Sequence, residues 1–517
     1  MSDIVLSTLN AKYIHASFGL RYLLANMGDF KSRTRIKEFE IHQDPIDLAA
    51  ELISENPKII GLGVYIWNVS QTLLVASTLK QVAPEITLVL GGPEVSHETT
   101  SQPILEWADY VICGEADIEF AALCKTLLCG ESPPANKIIT PPLPDLNRVR
   151  LPYEEYSEAD VAHRIIYVEA ARGCPFTCEF CLSSLDSPVR QFPLPLLMDH
   201  WKILIQRGVR HFKFVDRTFN LNLTNSRTIL AFFLEHYVPG LMVHFEMVPD
   251  RLPENLREII SRFPPGSLQF EVGIQTFNEE VSIRIRRRQK LDRLEDNLRF
   301  LRRETGVHVH ADLIIGLPGE DFDSLAAGFD RLIDLGPQEI QVGLLKRLRG
   351  TPISRHDQEW GMIYHRHPPY EILHSHTLDF STLQRLKRFA RYWDLVGNSG
   401  NFVESTPLIW SQNPSPFRAF LRWSDWLYDQ IGRRHGIALN RLFEMLFNFL
   451  TEELSMEKPV VSQSLARDFQ KPGRRDIPPV LKPWTEGNSP RTVPRGTQHP
   501  ATRRQARHLE NPVANKQ

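Results

Sequence analysis

The segment IIYVEAARGCPFTCEFC, residues 165–181, decides how the chain is read. IIYVEA is a short apolar run of the kind that forms a buried parallel strand. Gly173 and Pro175 shape the turn that follows it. Cys174, Cys178 and Cys181 then fall within eight residues. Gaps of three and two residues can aim three thiolates at one iron–sulfur cubane, a cluster usually held by four. The iron left without a protein thiolate is an open position, where an amino acid's amino and carboxylate groups can chelate. Phe180, just before the last cysteine, is placed to shield the cluster from water. The competing reading is a zinc site completed by a histidine such as His163 or His211. The spacing does not make the usual pair of C-x-x-C knuckles.

Downstream, the strand candidates FKFVD, MVHFEM, LQFEVGI, HVHADLIIG and IQVGLL recur with helical patterns between them. With IIYVEA they make six, which predicts a partial (β/α)6 TIM-like barrel over 161–355. Chemistry in such barrels sits at the carboxyl ends of strands, where the cysteines follow the first one. The charged runs RIRRRQK (284–290) and RFLRRE (299–304) lie in helical stretches and read as solvated outer faces.

Upstream, residues 1–130 alternate five strand and helix patterns. This predicts a doubly wound, Rossmann-like parallel sheet. Glycines follow three strand ends: Gly61 and Gly63, Gly91 and Gly92, and Gly114. Ligands bind outside the carboxyl ends of such sheets, and glycine admits close approach. A nicotinamide cofactor would want G-x-G-x-x-G after the first strand. TLNAKY stands there instead. Residues 131–160, proline-dense and aperiodic, read as a linker. Residues 356–485 read as a helical C-terminal domain, and 486–517 as a disordered tail.

At 517 residues the chain exceeds one core, and its net charge of −2 selects neither nucleic acid nor anionic membranes. No apolar run suggests a membrane span, and MSDIVLSTLN reads as a first strand rather than as a signal peptide. A cytoplasmic location is expected, where clustered thiols bind metal more often than they form disulfides. Cys113, Cys124 and Cys129 read as small buried fillers. Arg491, Arg495, Arg503, Arg504 and Arg507 in the tail raise one rival function, a nucleic-acid-associated binding protein. The core offers no basic-aromatic platform to accompany them.

ARGCPFTCEFC resembles the signature loop of radical S-adenosylmethionine enzymes. FKFVDRTFN (212–220), FEVGIQTFN (270–278), ADLIIGLPGE (311–320) and LLKRLRGTPI (344–353) resemble later motifs of that barrel. The resemblance implies a 4Fe-4S cluster on the three cysteines. It implies Asp216 and Gln275 at the methionine or ribose end of S-adenosylmethionine, and Ile315, Gly316, Leu317 and Pro318 behind its adenine. Residues 1–130 resemble a cobalamin-binding domain through GLGVYIWN (61–68), LVLGGPEVS (88–96) and VICGEAD (111–117). That likeness implies cobalamin contacts from Tyr65, Gly91, Gly92, Pro93, Glu94, Gly114 and Glu115. KYIHASFGL partly resembles the loop that supplies the lower cobalt ligand, which would be His15. Tyr13 and Phe18 depart from that loop's pattern, and its glycine comes one residue late, at Gly19. The C-terminal part resembles a helical domain appended to one branch of these proteins. The family also implies an electron donor such as a flavodoxin or ferredoxin, and a small-molecule substrate of unknown identity. Methylation and rearrangement of that substrate both fit the residues.

Overall fold

The computed structural model describes residues 2–186, 188–471, 474, 478–484 and 503–509. The first domain is a six-stranded, wholly parallel sheet in the order β2-β1-β3-β4-β5-β6. Its strands are β1 (Ile4–Asn10), β2 (Thr34–Glu40), β3 (Ile59–Gly63), β4 (Thr87–Gly91), β5 (Tyr110–Ile112) and β6 (Ile138–Ile139). Every residue of β1 is buried, because it pairs on both sides and is covered on both faces; β2, at the rim, is only partly buried, with Thr34 and Phe39 its two buried residues. Helices cover each face, giving two separate apolar cores around Val5, Ile60 and Leu90, and around Ile4, Leu6 and Phe120. Asp44 starts one of these helices, Pro45–Ser54, by accepting the Ile46 N–H at 2.8 Å ahead of a proline at its first turn.

Five strands were expected here; the sixth, β6, comes from the segment read as linker. Cys113 and Cys124 are buried as expected, whereas Cys129 is exposed at the end of its helix.

The second domain is an open barrel of six parallel strands, in the order β14-β13-β12-β11-β10-β7. They are β7 (Ile166–Val168), β10 (His211–Phe214), β11 (Met242–Met247), β12 (Leu268–Gln275), β13 (His308–Ile315) and β14 (Glu339–Leu344). Between β7 and β10 a small antiparallel hairpin, β8 (Ala171–Arg172) with β9 (Arg190–Gln191), closes the base of the cysteine loop. All six expected barrel strands are present, and β7 and β14 stand at opposite ends of the sheet.

Ion pairs and hydrogen bonds between the domains lock them together. Arg21 bridges Glu38 and Asp160, both at 2.9 Å, tying the helix Glu158–His163 to the first sheet. Glu94 accepts from Tyr370 Oη at 2.6 Å and pairs with Arg349 at 3.0 Å.

The C-terminal domain is helical, as expected, but begins with a hairpin of β15 (Ile363–Tyr364) and β16 (Ile372–His374) that sequence reading missed. Its helix Phe380–Leu395 starts at Asp379, which accepts the Thr382 N–H at 2.7 Å, and packs against β14. The tail expected to be disordered contains a helix, Arg503–Leu509. Arg504 pairs with Glu339 and Asp394, each at 2.9 Å, and His508 packs on the His308 ring. An arginine held by protein carboxylates is not free for phosphate, and the nucleic-acid reading finds no support. Arg491 and Arg495 lie outside the described residues. Among the described residues no helix is long and apolar enough to cross a membrane.

Candidate functional site

The cysteine loop leaves the carboxyl end of β7. Gly173 turns it with φ +90°, and a Cβ there would meet the carbonyl oxygens of Pro188 at 2.7 Å and Asp186 at 2.8 Å. Only glycine fits, and Cys174 N–H then donates to the Asp186 carbonyl at 2.8 Å. Cys174, Cys178 and Cys181 all line one cleft of about 680 Å³ with Phe176 and Phe180. Among the described residues no histidine lines it; His211 opens β10, at the end of the strand away from the loop. Burial pushes the Cys174 thiol up.

The facing wall of the cleft is charged. Arg217, Glu246, Glu271, Arg287 and Asp312 line it, with Gln275. Arg287 donates to Cys178 Sγ at 3.6 Å and to the Gly273 carbonyl at 2.5 Å. Among the described residues its Nε is buried without a hydrogen-bond partner, a costly state that a polar ligand would relieve, and Asp312 Oδ1 meets only His310 Nε2, at 3.4 Å. Gln275 has φ +73°, at a bulge where the β12–β13 register slips. A non-glycine residue held there stores strain, as functional positions often do. In this wall, burial raises Glu246 and Asp312. Burial also lowers His244 to about 4, while Glu271, 3.1 Å away, stays ionised against its own burial through His244 and Lys213.

Other expected site residues fall elsewhere. Asp216 does not line the cleft; its carboxyl accepts the Ala170 N–H at 2.9 Å, and burial pushes it up to about 7. Ile315 and Leu317 are fully buried, and Gly316 packs under Ile372, where a Cβ would come within 2.8 Å; Pro318 accepts from Arg284 at 2.8 Å. His15 lies at the domain junction, its Nδ1 2.7 Å from Tyr167 Oη and its backbone bridged to Ile165.

A second cleft, of about 890 Å³, opens at the carboxyl ends of β3, β4 and β5, facing the barrel. Tyr65, Gly91, Gly92, Gly114 and Glu115 line it, together with Gly61 and Gly63; Pro93 and Glu94 do not. Gly92 has φ +106°, and a Cβ there would lie 2.5 Å from the Val64 carbonyl oxygen. The lining is mainly glycine and apolar side chains, which suits the broad, flat face of a corrin and its nucleotide tail. Tyr65 stacks on Trp67 at 4.4 Å beside it.

Sequence reading missed the charged wall of the cluster cleft, Arg217, Glu246, Glu271, Arg287 and Asp312, and two groups beside the clefts. Arg172 reaches Glu115 at 2.7 Å, Asp117 at 2.8 Å and Glu169 at 3.0 Å, and lies over the Tyr22 ring, joining both domains at the second cleft. Glu179, inside the cysteine motif, is 0% exposed and pairs with Arg286, Arg355 and His356. The run RIRRRQK is therefore not a solvated face: Arg286 and Arg287 turn toward the cysteine loop. Only the unusual density of arginine there hinted at buried carboxylates nearby.

Comparison with known proteins finds three family patterns along the chain. The Radical SAM superfamily pattern matches residues 168–332, the B12 binding domain pattern matches 4–124, and a protein of unknown function (DUF4080) pattern matches 358–504. An uncharacterized methyltransferase, PH0819 of Pyrococcus horikoshii, is 24% identical over 54% of this chain and 65% of its own. The anaerobic magnesium-protoporphyrin IX monomethyl ester cyclase of Rubrivivax gelatinosus is 24% identical over 56% of this chain and 58% of its own. The chain thus spans less than two thirds of these relatives. The radical S-adenosylmethionine methyltransferase TsrM of Kitasatospora setae, solved with tryptophan and an S-adenosylmethionine analogue, superposes with a TM-score of 0.59. That match has 16% identity and covers 73% of this chain and 80% of TsrM.

Proposed function

We propose that this chain, a radical S-adenosylmethionine enzyme with an N-terminal B12-binding domain and a C-terminal DUF4080 domain, transfers a methyl group to a carbon of a small-molecule substrate. The observation that carries this reading is the pairing of two clefts: one holds three cysteines at the carboxyl end of the first barrel strand, the other is glycine-lined and opens between the domains. When bound, the 4Fe-4S cluster and S-adenosylmethionine supply a 5′-deoxyadenosyl radical, and cobalamin carries the methyl group.

The chain's own residues have separable tasks. Cys174, Cys178 and Cys181 would hold three irons, and Phe176 and Phe180 keep water from the sulfurs. Arg287 would take the methionine carboxylate, and Glu246 or Glu271 its ammonium, a match of opposite charges in a shielded cleft. Gln275 and Asp312 offer the polar atoms that ribose hydroxyls need. Tyr65, Gly91, Gly92 and Gly114 leave the space a cobalamin would fill. Arg172 holds the two domains in register across it.

The test is anaerobic reconstitution with iron, sulfide and cobalamin, then incubation with reductant and methyl-labelled S-adenosylmethionine across candidate substrates. The expected products are 5′-deoxyadenosine, S-adenosylhomocysteine and a labelled product. 5′-Deoxyadenosine with an unlabelled rearranged or cyclised product would replace methyl transfer with the second reaction class. Protein that holds a full cluster yet forms no 5′-deoxyadenosine would overturn the radical reading.

A further inference from the structure

A further cavity of about 1490 Å³ lies beside the cluster cleft and shares Phe180, Gln275 and Asp312 with it. Its walls are β13, β14 and the helix Phe380–Leu395, so it fills the side of the barrel that no strand closes. One wall belongs to the C-terminal domain, to which the reading above gives no task.

The lining combines an apolar band with a charge imbalance. Ile314, Val342 and Leu344 supply the band. Of the carboxylates facing the cavity, Glu371 is taken by Lys387, and Asp394 is shared by Arg391 and Arg504. Asp312 faces His310 at 3.4 Å. Lys346 stands exposed at the rim of the cavity, and among the described residues no carboxylate pairs with its ammonium. The Nε of Arg391 is buried without a hydrogen-bond partner. A cavity that exposes one unmatched ammonium and one unmatched guanidinium N–H beside an apolar wall suits a ligand with an apolar body and an anionic end.

We propose that this cavity binds the substrate as an amphipathic anion, its carboxylate or phosphate on Lys346 and Arg391 and its apolar body along β13 and β14 toward Gln275. The assignment rests on the radical reading, because nearness to the cluster cleft is what makes the ligand a substrate. It gives the C-terminal domain a function: Arg391 selects what reaches the cluster.

The experiment is calorimetric titration of the full-length, cluster-loaded protein, without turnover, using octanoate, octyl phosphate, octanol and octylammonium. Octanoate or octyl phosphate should bind about tenfold more tightly than octanol, with octylammonium weakest, since the charge-assisted contact to the buried Arg391 Nε is worth about that factor and the exposed Lys346 adds little; the stronger anion names the headgroup. The double variant K346Q/R391Q should lose about tenfold in affinity for that anion and none for octanol. Gly343 lines the cavity, and a Cβ there meets only the Leu313 carbonyl oxygen at 4.0 Å; Gly343→Leu should exclude all four probes. Equal binding of octanol and both anions, no binding of any probe, or an unchanged K346Q/R391Q would overturn the proposal. 5′-Deoxyadenosine formation is measured separately, so loss of the radical reading would show there and leave the binding result intact.

Discussion

Glu179 offers the most informative single substitution. Its carboxylate is sealed inside the cysteine loop and meets Arg286 Nε at 2.9 Å, Arg355 Nη2 at 2.7 Å and His356 Nε2 at 2.7 Å. Its own N–H donates to Ile285 at 3.1 Å. Glu179→Gln keeps the shape and removes the charge. Neutralising one partner of a buried pair costs about 3–5 kcal/mol. Arg286 and Arg355 are 55% and 47% exposed, so water compensates them, while His356 at 5% stays sealed. The lower end, about 3 kcal/mol, is therefore expected. The cost falls on the loop between Cys178 and Cys181, so it should appear as local opening rather than global unfolding. At about 1.4 kcal/mol per decade, opening rises roughly 100-fold. The assay is the rate at which a ferrous chelator strips iron from anaerobically reconstituted protein. E179Q should lose iron roughly 100-fold faster than wild type, and Arg355→Gln, which removes a half-exposed arginine and leaves Glu179 paired with Arg286 and His356, no more than about tenfold faster. An E179Q rate within about threefold of wild type would refute the clamp.

Three further outcomes follow from the geometry. Gly92→Ala places a Cβ against the Val64 carbonyl in a left-handed backbone; it should destabilise the first domain by about 2 kcal/mol and reduce cobalamin retention on gel filtration. Gly273→Ala would set a Cβ 2.5 Å from Gln275 Nε2 and 3.1 Å from Arg287 Nη2. Both are ends of flexible side chains, so the melting temperature should hold while S-adenosylmethionine affinity, read by calorimetry, drops about tenfold. Burial pushes Asp468, which accepts from the Glu404 and Ser405 N–H groups, up to about 6. The fold prefers its protonated form, so this carboxyl's contribution is complete below pH 4 and is lost as pH rises through 6, by about 2–3 kcal/mol. The urea midpoint of wild type relative to Asp468→Asn should fall across that window; a parallel pH dependence would exclude the linkage.

What the sequence revealed was what short-range pattern encodes. The six barrel strands were legible because each is an apolar run with helical spacing on either side, and the cysteine loop because its three thiols fall within eight residues. Glycines 91, 92 and 114 were legible as a cleft because they follow strands. Contacts between distant residues were not. Arg172 and Glu115 are 57 positions apart, and Glu179 and His356 are 177 apart; nothing local marks either partner. The strand β6 has two residues, too few for a period to register. The tail helix Arg503–Leu509 carries little apolar surface and is held by ion pairs to Glu339 and Asp394, which composition reads as disorder.

The strands β7 and β14 end the second sheet without meeting. A closed barrel has a bore fixed by its strand number and stagger. An open one has a seam, and here the helix Phe380–Leu395 lies along one lip of it, against β14. The diameter available to a guest is then set by the clip rather than by the staves. A different clip on the same staves would admit a different guest, while the three cysteines on the far lip, behind β7, keep their places.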